Sequence, residues 1–467
     1  MKRLVTIALA LATIAAAAQN GGITAEMLTE IQKGYEGTAA DKAIRNAINT
    51  TPINTLAANA ENTAMISTDF TDIVKTKGIT DQKSSGRCWL FTGLNVLRAA
   101  AIQKYDLGEF QFSQNYCFFW DQLEKANLFL QGVLDTWDKP FDDREVDWLF
   151  SHPISDGGTF TGVANLVTKY GVVPADAMPE TFVSNSTSQM AGHLKTLLRQ
   201  DGIELRNMAA EGAAANAKLK GAKARKAAEA LEAGLQARKT EMLKEVYHVL
   251  AICLGVPPTE VEWKGRRMTP VQFYNELLGY DLEHDYVMLM NDPSREYGKV
   301  YEIQYDRHLY DGQNWLYVNL PLDRIKEMAI ASIKGGDAMY FSCDVGKFLN
   351  RTKGVAVIAN FDYDSLLGVN FTMDKKERIL THASGSSHAM TLIAVDIKDG
   401  KPVKWMVENS WGKSGWNGKL IMTDEWFNEY MFRLVVDKKY VPADVMQMLG
   451  QKPVQLPCWD PMFLGEE

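Results

Sequence analysis

A cysteine that opens an apolar run, six residues after a glutamine, constrains this chain more than any other feature. The segment is Gln82-Lys83-Ser84-Ser85-Gly86-Arg87-Cys88-Trp89-Leu90-Phe91. The apolar run predicts a buried helix beginning at Cys88. A thiol there feels the positive end of the helix dipole, which lowers its pKa and favours the thiolate. Attack on a carbonyl also needs donors for the oxyanion. The Gln82 side-chain amide and the Cys88 backbone N–H are the candidates, with Gly86 allowing a tight turn between them. Cys-Trp alone would suit a buried structural cysteine; the glutamine and glycine at these offsets favour a nucleophile.

A nucleophilic cysteine needs a base, and the chain has seven histidines. His388 precedes the apolar, β-branched run Ala389-Met390-Thr391-Leu392-Ile393-Ala394-Val395, which reads as a buried strand. A base at the start of a rigid element is well held. His382 is close by but sits in a loop rich in Thr, Ser and Gly. Further on, Trp405-Met406-Val407-Glu408-Asn409-Ser410-Trp411-Gly412 reads as a strand ending in an asparagine. The Asn409 amide oxygen can accept from the imidazole and fix its tautomer, and Trp411 can shield that bond from water.

These segments resemble the papain-like cysteine peptidases, and within them the bleomycin hydrolase / aminopeptidase C branch. The branch resemblance is carried by Ser85-Gly86-Arg87-Cys88-Trp89-Leu90-Phe91, Phe112-Ser113-Gln114-Asn115-Tyr116-Cys117, Asp156-Gly157-Gly158, Gly171-Val172-Val173-Pro174, Met178-Pro179-Glu180-Thr181 and Ser342-Cys343-Asp344-Val345-Gly346-Lys347. It continues through His388-Ala389-Met390 and Glu408-Asn409-Ser410-Trp411-Gly412 to the tail Leu456-Pro457-Cys458-Trp459-Asp460-Pro461-Met462. The resemblance implies an α+β, papain-like fold of two lobes, a helical left lobe and an antiparallel β-barrel-like right lobe, with a large helical insertion. It implies Cys88 as nucleophile, His388 as base, Asn409 as its orienter and Gln82 as oxyanion donor. It also implies that Gly157 and Gly158 form a backbone edge for an extended substrate, with Gly158 the closer contact. The family usually has Gln after the glycines; Thr159 stands here.

In this branch the C-terminal arm lies in the cleft and offers its carboxylate to the substrate's α-ammonium, which makes an aminopeptidase of an endopeptidase scaffold. Carried over, that role falls to Glu467, where a charge-assisted bond in a partly desolvated cleft is strong. The branch further implies a homohexamer, and peptides as substrates. Two other readings stay open from the residues: a broader cysteine endopeptidase or transpeptidase with the tail outside the cleft, and a non-catalytic nucleic-acid-binding cage.

Spacing sets the organisation. Cys88 and His388 stand 300 positions apart, about twice the Cys-to-His distance of lysosomal-type papain relatives. A segment rich in Ala, Lys, Glu, Leu and Arg from about Ser188 to Leu254 supplies the excess, and its helix propensity predicts long solvent-facing helices. The expected division is a signal peptide at 1–18, an N-terminal segment at 19–64, the helical lobe at 65–185, a mainly helical insertion at 186–325, the β-barrel-like lobe at 326–440 and the C-terminal arm at 441–467.

Lys2 and Arg3 precede an apolar run from Leu4 to about Ala15, followed by Ala16-Ala17-Ala18. This reads as a cleavable secretory signal cut near Ala18, with a periplasmic or secreted product and no stable membrane insertion. A net charge of −8, from 50 basic and 58 acidic residues, gives no electrostatic footprint for nucleic acid. The five cysteines show no disulfide framework or metal-ligand spacing, so no metal and no cofactor are expected.

Overall fold

The computed structural model describes residues 21–62 and 66–464. The expected signal segment at 1–18 and the expected amine-binding Glu467 lie outside them. The chain divides into two units, residues 1–60 with 361–370, and residues 61–360 with 371–467. In the first, helices Ala25–Lys33 and Ala39–Ile48 are each opened by a threonine cap, and Thr38 forms a reciprocal capping box with Asp41.

The second unit carries every candidate site residue among those described. Its helical half is built on Cys88–Tyr105, Gln114–Asp135 and Phe160–Tyr170. The first is apolar on nearly all sides and is buried from Trp89 to Ala99, as a core helix must be. Close packing sets its spacing from its neighbour: a Cβ on Gly93 would lie 2.5 Å from Val163. The Ala- and Lys-rich region forms two long helices, Ser188–Asn216 and Gly221–Leu254. They pack on each other and on Gln114–Asp135, burying only one stripe of the second, Leu235, Met242, Val246, Leu250 and Leu254.

The β half is a mixed, twelve-stranded sheet. At its centre His388–Lys398 lies between Met339–Cys343 and Lys401–Glu408, antiparallel to both. Three further strands, Tyr286–Met290, Lys299–Ile303 and Leu316–Asn319, fall inside the segment expected to be mainly helical. They extend the same sheet through Met431–Asp437. Their short apolar runs bury against that strand, and tertiary pairing overrides the helical composition upstream. Parallel pairs join Tyr286–Met290 to Leu316–Asn319, and Val454–Leu456 to Lys299–Ile303. Among the described residues, no helix is long and apolar enough to cross a membrane.

The two halves meet where the Cys88 helix packs on the His388 strand. Arg98 of the helix and Glu408 of the neighbouring strand form a buried ion pair across this contact.

Candidate active site

Cys88 is the first residue of its helix, and no side chain caps that end. The positive end of the dipole therefore falls on the thiol. The preceding Arg87 is fully buried and sets the angle at which the chain enters the helix. Its guanidinium holds Glu180 through two bonds of 3.1 and 2.8 Å, its Nε donates to Ser85 Oγ at 3.0 Å, and it lies between the rings of Phe91 and Phe118. Gly86 serves a purpose different from the expected tight turn. The positive φ of this loop falls on Lys83, at 54°. Gly86 is needed because a Cβ there would lie 2.8 Å from the Asp156 Cβ.

His388 opens its strand directly opposite Cys343. Burial pushes the Cys343 thiol up, and Asp344 and Cys88 add to the effect. Four residues beyond the nucleophile, the Thr92 carbonyl accepts from Thr391 Oγ1 at 3.5 Å, three residues beyond His388. His388 Nε2 lies 2.8 Å from Asn409 Oδ1. That oxygen also accepts the Ser410 backbone N–H at 2.8 Å, so the amide is turned with its oxygen toward the imidazole. Nε2 is then the protonated nitrogen and Nδ1 the basic one. Trp411 covers the imidazole at 4.8 Å between ring centres, and Arg351 lies over the Trp411 ring at 4.6 Å. Burial pushes the His388 pKa down to about 4, against the raising effect of the Asn409 bond and with a smaller lowering from Arg351.

Gln82 is tied to the same segment. Its backbone N–H donates to the Ser410 carbonyl at 2.8 Å, and its Oε1 accepts from Ser410 Oγ at 2.6 Å. Its Nε2 donates one hydrogen to the Ser85 carbonyl at 2.7 Å, and the amide carries a second. The Gly412 N–H reaches the Thr80 carbonyl at 3.0 Å, completing the link. The loop before Cys88 and the stretch after Asn409 are thus one hydrogen-bonded unit.

The glycine edge rests on a buried ionic cluster that sequence reasoning missed. The Lys125 ammonium donates to the Ser155 and Gly157 carbonyls at 2.9 and 2.5 Å and pairs with Asp121 at 3.1 Å. Trp89, next to the nucleophile, donates its indole N–H to the Asp156 carbonyl at 2.6 Å. Gln122 supplies a second bond to Ser155 at 2.9 Å. Three successive carbonyls are therefore drawn inward, while the Gly158 peptide groups have no partner among the described residues. His308 bonds Asp121 through Nδ1 and packs edge-on against Trp89, with ring centres 4.5 Å apart. Burial alone would raise the Asp121 carboxyl, but Lys125 and His308 hold it below its usual range. Burial and Lys125 push the His308 imidazole down, against the raising effect of Asp121. No motif surrounds His308, and its partner lies 187 positions away. Asp121 and Lys125 sit on a helix whose aromatic run reads simply as core. Among the described residues, no cluster of His, Cys, Asp and Glu could hold a metal ion.

The Peptidase C1-like family matches residues 22–463. Human bleomycin hydrolase is 40% identical over 407 residues, covering 83% of this chain and 86% of that protein. Aminopeptidase C of Streptococcus thermophilus is 36% identical over 446 residues, covering 92% and 95%. The crystal structure of PepW from Lactobacillus rhamnosis superposes with a TM-score of 0.86 at 34% identity, covering 95% of this chain and 99% of that one.

Proposed function

The chain belongs to the Peptidase C1-like family, and from that membership we propose that it is an exported cysteine aminopeptidase acting through an acyl-enzyme on Cys88. The observation that carries the chemistry is the His388–Asn409–Ser410–Gln82 network, which joins the proposed base and the proposed oxyanion donor in one hydrogen-bonded unit. His388 Nδ1 takes the Cys88 proton as the thiolate attacks the carbonyl. The Gln82 amide and the Cys88 N–H receive the oxyanion. The tetrahedral intermediate collapses, His388 returns the proton to the departing amine, and water then hydrolyses the thioester with His388 again as base.

The substrate's main chain lies along Gly158, whose unpaired peptide groups suit strand addition. Attack at the N-terminal residue is supported by the C-terminal arm. Val454–Leu456 is built into the sheet, Asp460 pairs with Arg295, and Arg433 donates to the Met462 carbonyl. Phe463 then lies against Trp148, with ring centres 5.7 Å apart, and walls a cavity that Gly157 and Gly158 also line. An arm anchored as far as Met462 supports the reading in which the C-terminal carboxylate receives the free amine of the substrate. Export is supported by the basic and apolar N-terminus. A homohexamer is supported by relatedness to bleomycin hydrolase, with the two long helices as its contact elements.

The test compares hydrolysis of matched peptides with free and blocked N-termini, with Cys88→Ala as control. The free-amine peptide is expected to be cleaved at least tenfold faster, and deletion of Gly465–Glu467 to abolish that difference. Equal rates on both peptides in the intact protein refute the aminopeptidase reading and leave an endopeptidase.

A further inference from the structure

A second concavity opens beside the nucleophile loop, walled by Ser85–Gly86, by Ser155–Asp156 and by one face of the Ser188–Asn216 helix. Its position follows from the two segments already described. Gly86 stands two residues before Cys88, and Asp156 directly precedes the Gly157–Gly158 edge. At the base these segments touch, through the Gly86 N–H donating to Asp156 Oδ2 at 3.1 Å. The Ser84 N–H donates to the Asn185 carbonyl at 3.0 Å, three residues before the helix begins. The gap thus lies between the loop that leads into Cys88 and the segment that leads into the glycine edge.

The chemistry of the walls is polar and lopsided. The helix presents Ser188, Ala191, Gly192 and Lys195, the spacing of one helical face. A Cβ on Gly192 would meet nothing within 4 Å, so the space is open at the height of that turn. Among the lining residues Ala191 is the only apolar side chain. The charges can be followed individually. Lys83 is committed to Asp81 at 2.5 Å. The Asp156 carboxylate takes the Gly86 N–H and the Thr187 hydroxyl on one oxygen, and its other oxygen is shut off from solvent. Lys195 has no ion-pair partner among the described residues. A lysine without an ion-pair partner among the described residues therefore lines a gap of hydroxyls and small residues.

We infer that this gap holds the side chain of the residue acylated onto Cys88, and that Lys195 makes it select carboxylate and carboxamide side chains over long aliphatic and cationic ones. The inference rests on the peptidase reading and names its substrate class; under the aminopeptidase reading the residue is the N-terminal one.

The experiment uses the full-length protein, with rates normalised by active-site titration of Cys88. Matched fluorogenic amides carrying Glu, Gln, Leu, Lys or Ala are compared as kcat/KM. Glu and Gln are expected to exceed Leu and Lys by about fivefold or more, in keeping with an exposed charge contact. Lys195→Glu is expected to shift the Lys-to-Glu ratio by at least tenfold toward Lys. Gly192→Phe, which fills the open turn, is expected to depress Glu, Gln and Leu relative to Ala. An unchanged ranking in both variants overturns the inference. The same series on N-blocked substrates separates the two claims: cleavage of blocked substrates with this ranking removes the aminopeptidase reading and keeps the pocket, whereas free-amine cleavage with no ranking does the reverse.

Discussion

Arg98, on the helix that begins at Cys88, pairs with Glu408, the residue immediately before Asn409, and both are buried. One ion pair thereby ties the helix that begins at Cys88 to the strand that leads into Asn409. Removing one partner leaves the other charged and uncompensated in the core, at a cost of about 3–5 kcal/mol. Arg98→Met is expected to lower the urea-unfolding free energy by that order. The double variant Arg98→Met/Glu408→Leu is expected to recover most of the loss. A single variant as stable as the parent contradicts the assignment.

The grip of Lys125 on the Ser155 and Gly157 carbonyls predicts a binding defect. Hydrogen bonds from a charged donor contribute about 1.5–3 kcal/mol. Lys125→Met is expected to raise KM for peptides about tenfold while kcat changes much less. Lys125→Arg is expected to restore part of the loss. Alkylation of Cys88 by iodoacetamide, which does not use the glycine edge, is expected to proceed near the parent rate. A parallel fall in alkylation would mean that the whole site had collapsed.

Ser410 acts through Gln82. Without its hydroxyl the amide loses the bond that fixes its oxygen. Ser410→Ala is expected to lower kcat about three- to tenfold with little change in KM. Gln82→Ala is expected to lower it about a hundredfold, as for loss of one oxyanion donor. Because the two residues act as a unit, the double variant is expected to match Gln82→Ala alone. Additive losses would separate them.

The buried imidazole gives an acid limit. His388 has a pKa near 4 in place of the ordinary 6.5, chiefly through burial. It remains a proton acceptor well below neutrality, so the acid limb of kcat/KM is expected near pH 4–5. Trp411→Ala, which admits water, is expected to move that limb upward. Stability follows with a definite sign. Above pH 6.5 neither state binds the proton; between 6.5 and about 4 the unfolded chain binds it and the folded protein does not. Stability therefore falls as the pH drops through that window. Urea midpoints at pH 7 and pH 5 are expected to differ less in His388→Gln than in the parent.

The parts of this structure that were legible in the sequence are those where chemistry and local pattern coincide. Cys88 opens an apolar helix, His388 an apolar strand, and Asn409 directly follows one, so local pattern marks each element. The long Ala- and Lys-rich helices are equally plain, because propensity summed over thirty residues outweighs context. The strands at Tyr286–Met290, Lys299–Ile303 and Leu316–Asn319 were hidden, since runs of four or five residues become strands only through the partner they meet. The Asp121–Lys125–His308 cluster was hidden for a related reason. Its members are ordinary one at a time, and only folding makes them neighbours.

A Cβ at Gly158 or at Gly162 would come within 2.5 Å of the His308 imidazole. His308 follows the two long helices in the chain, so a histidine supplied late dictates which side chains the glycine segment can carry. A side chain at either glycine position is blocked unless position 308 yields. Across related sequences a larger residue at position 158 or 162 should appear only where position 308 has shrunk, and swapping the region around 308 between distant relatives should cost activity until both glycines are matched to it.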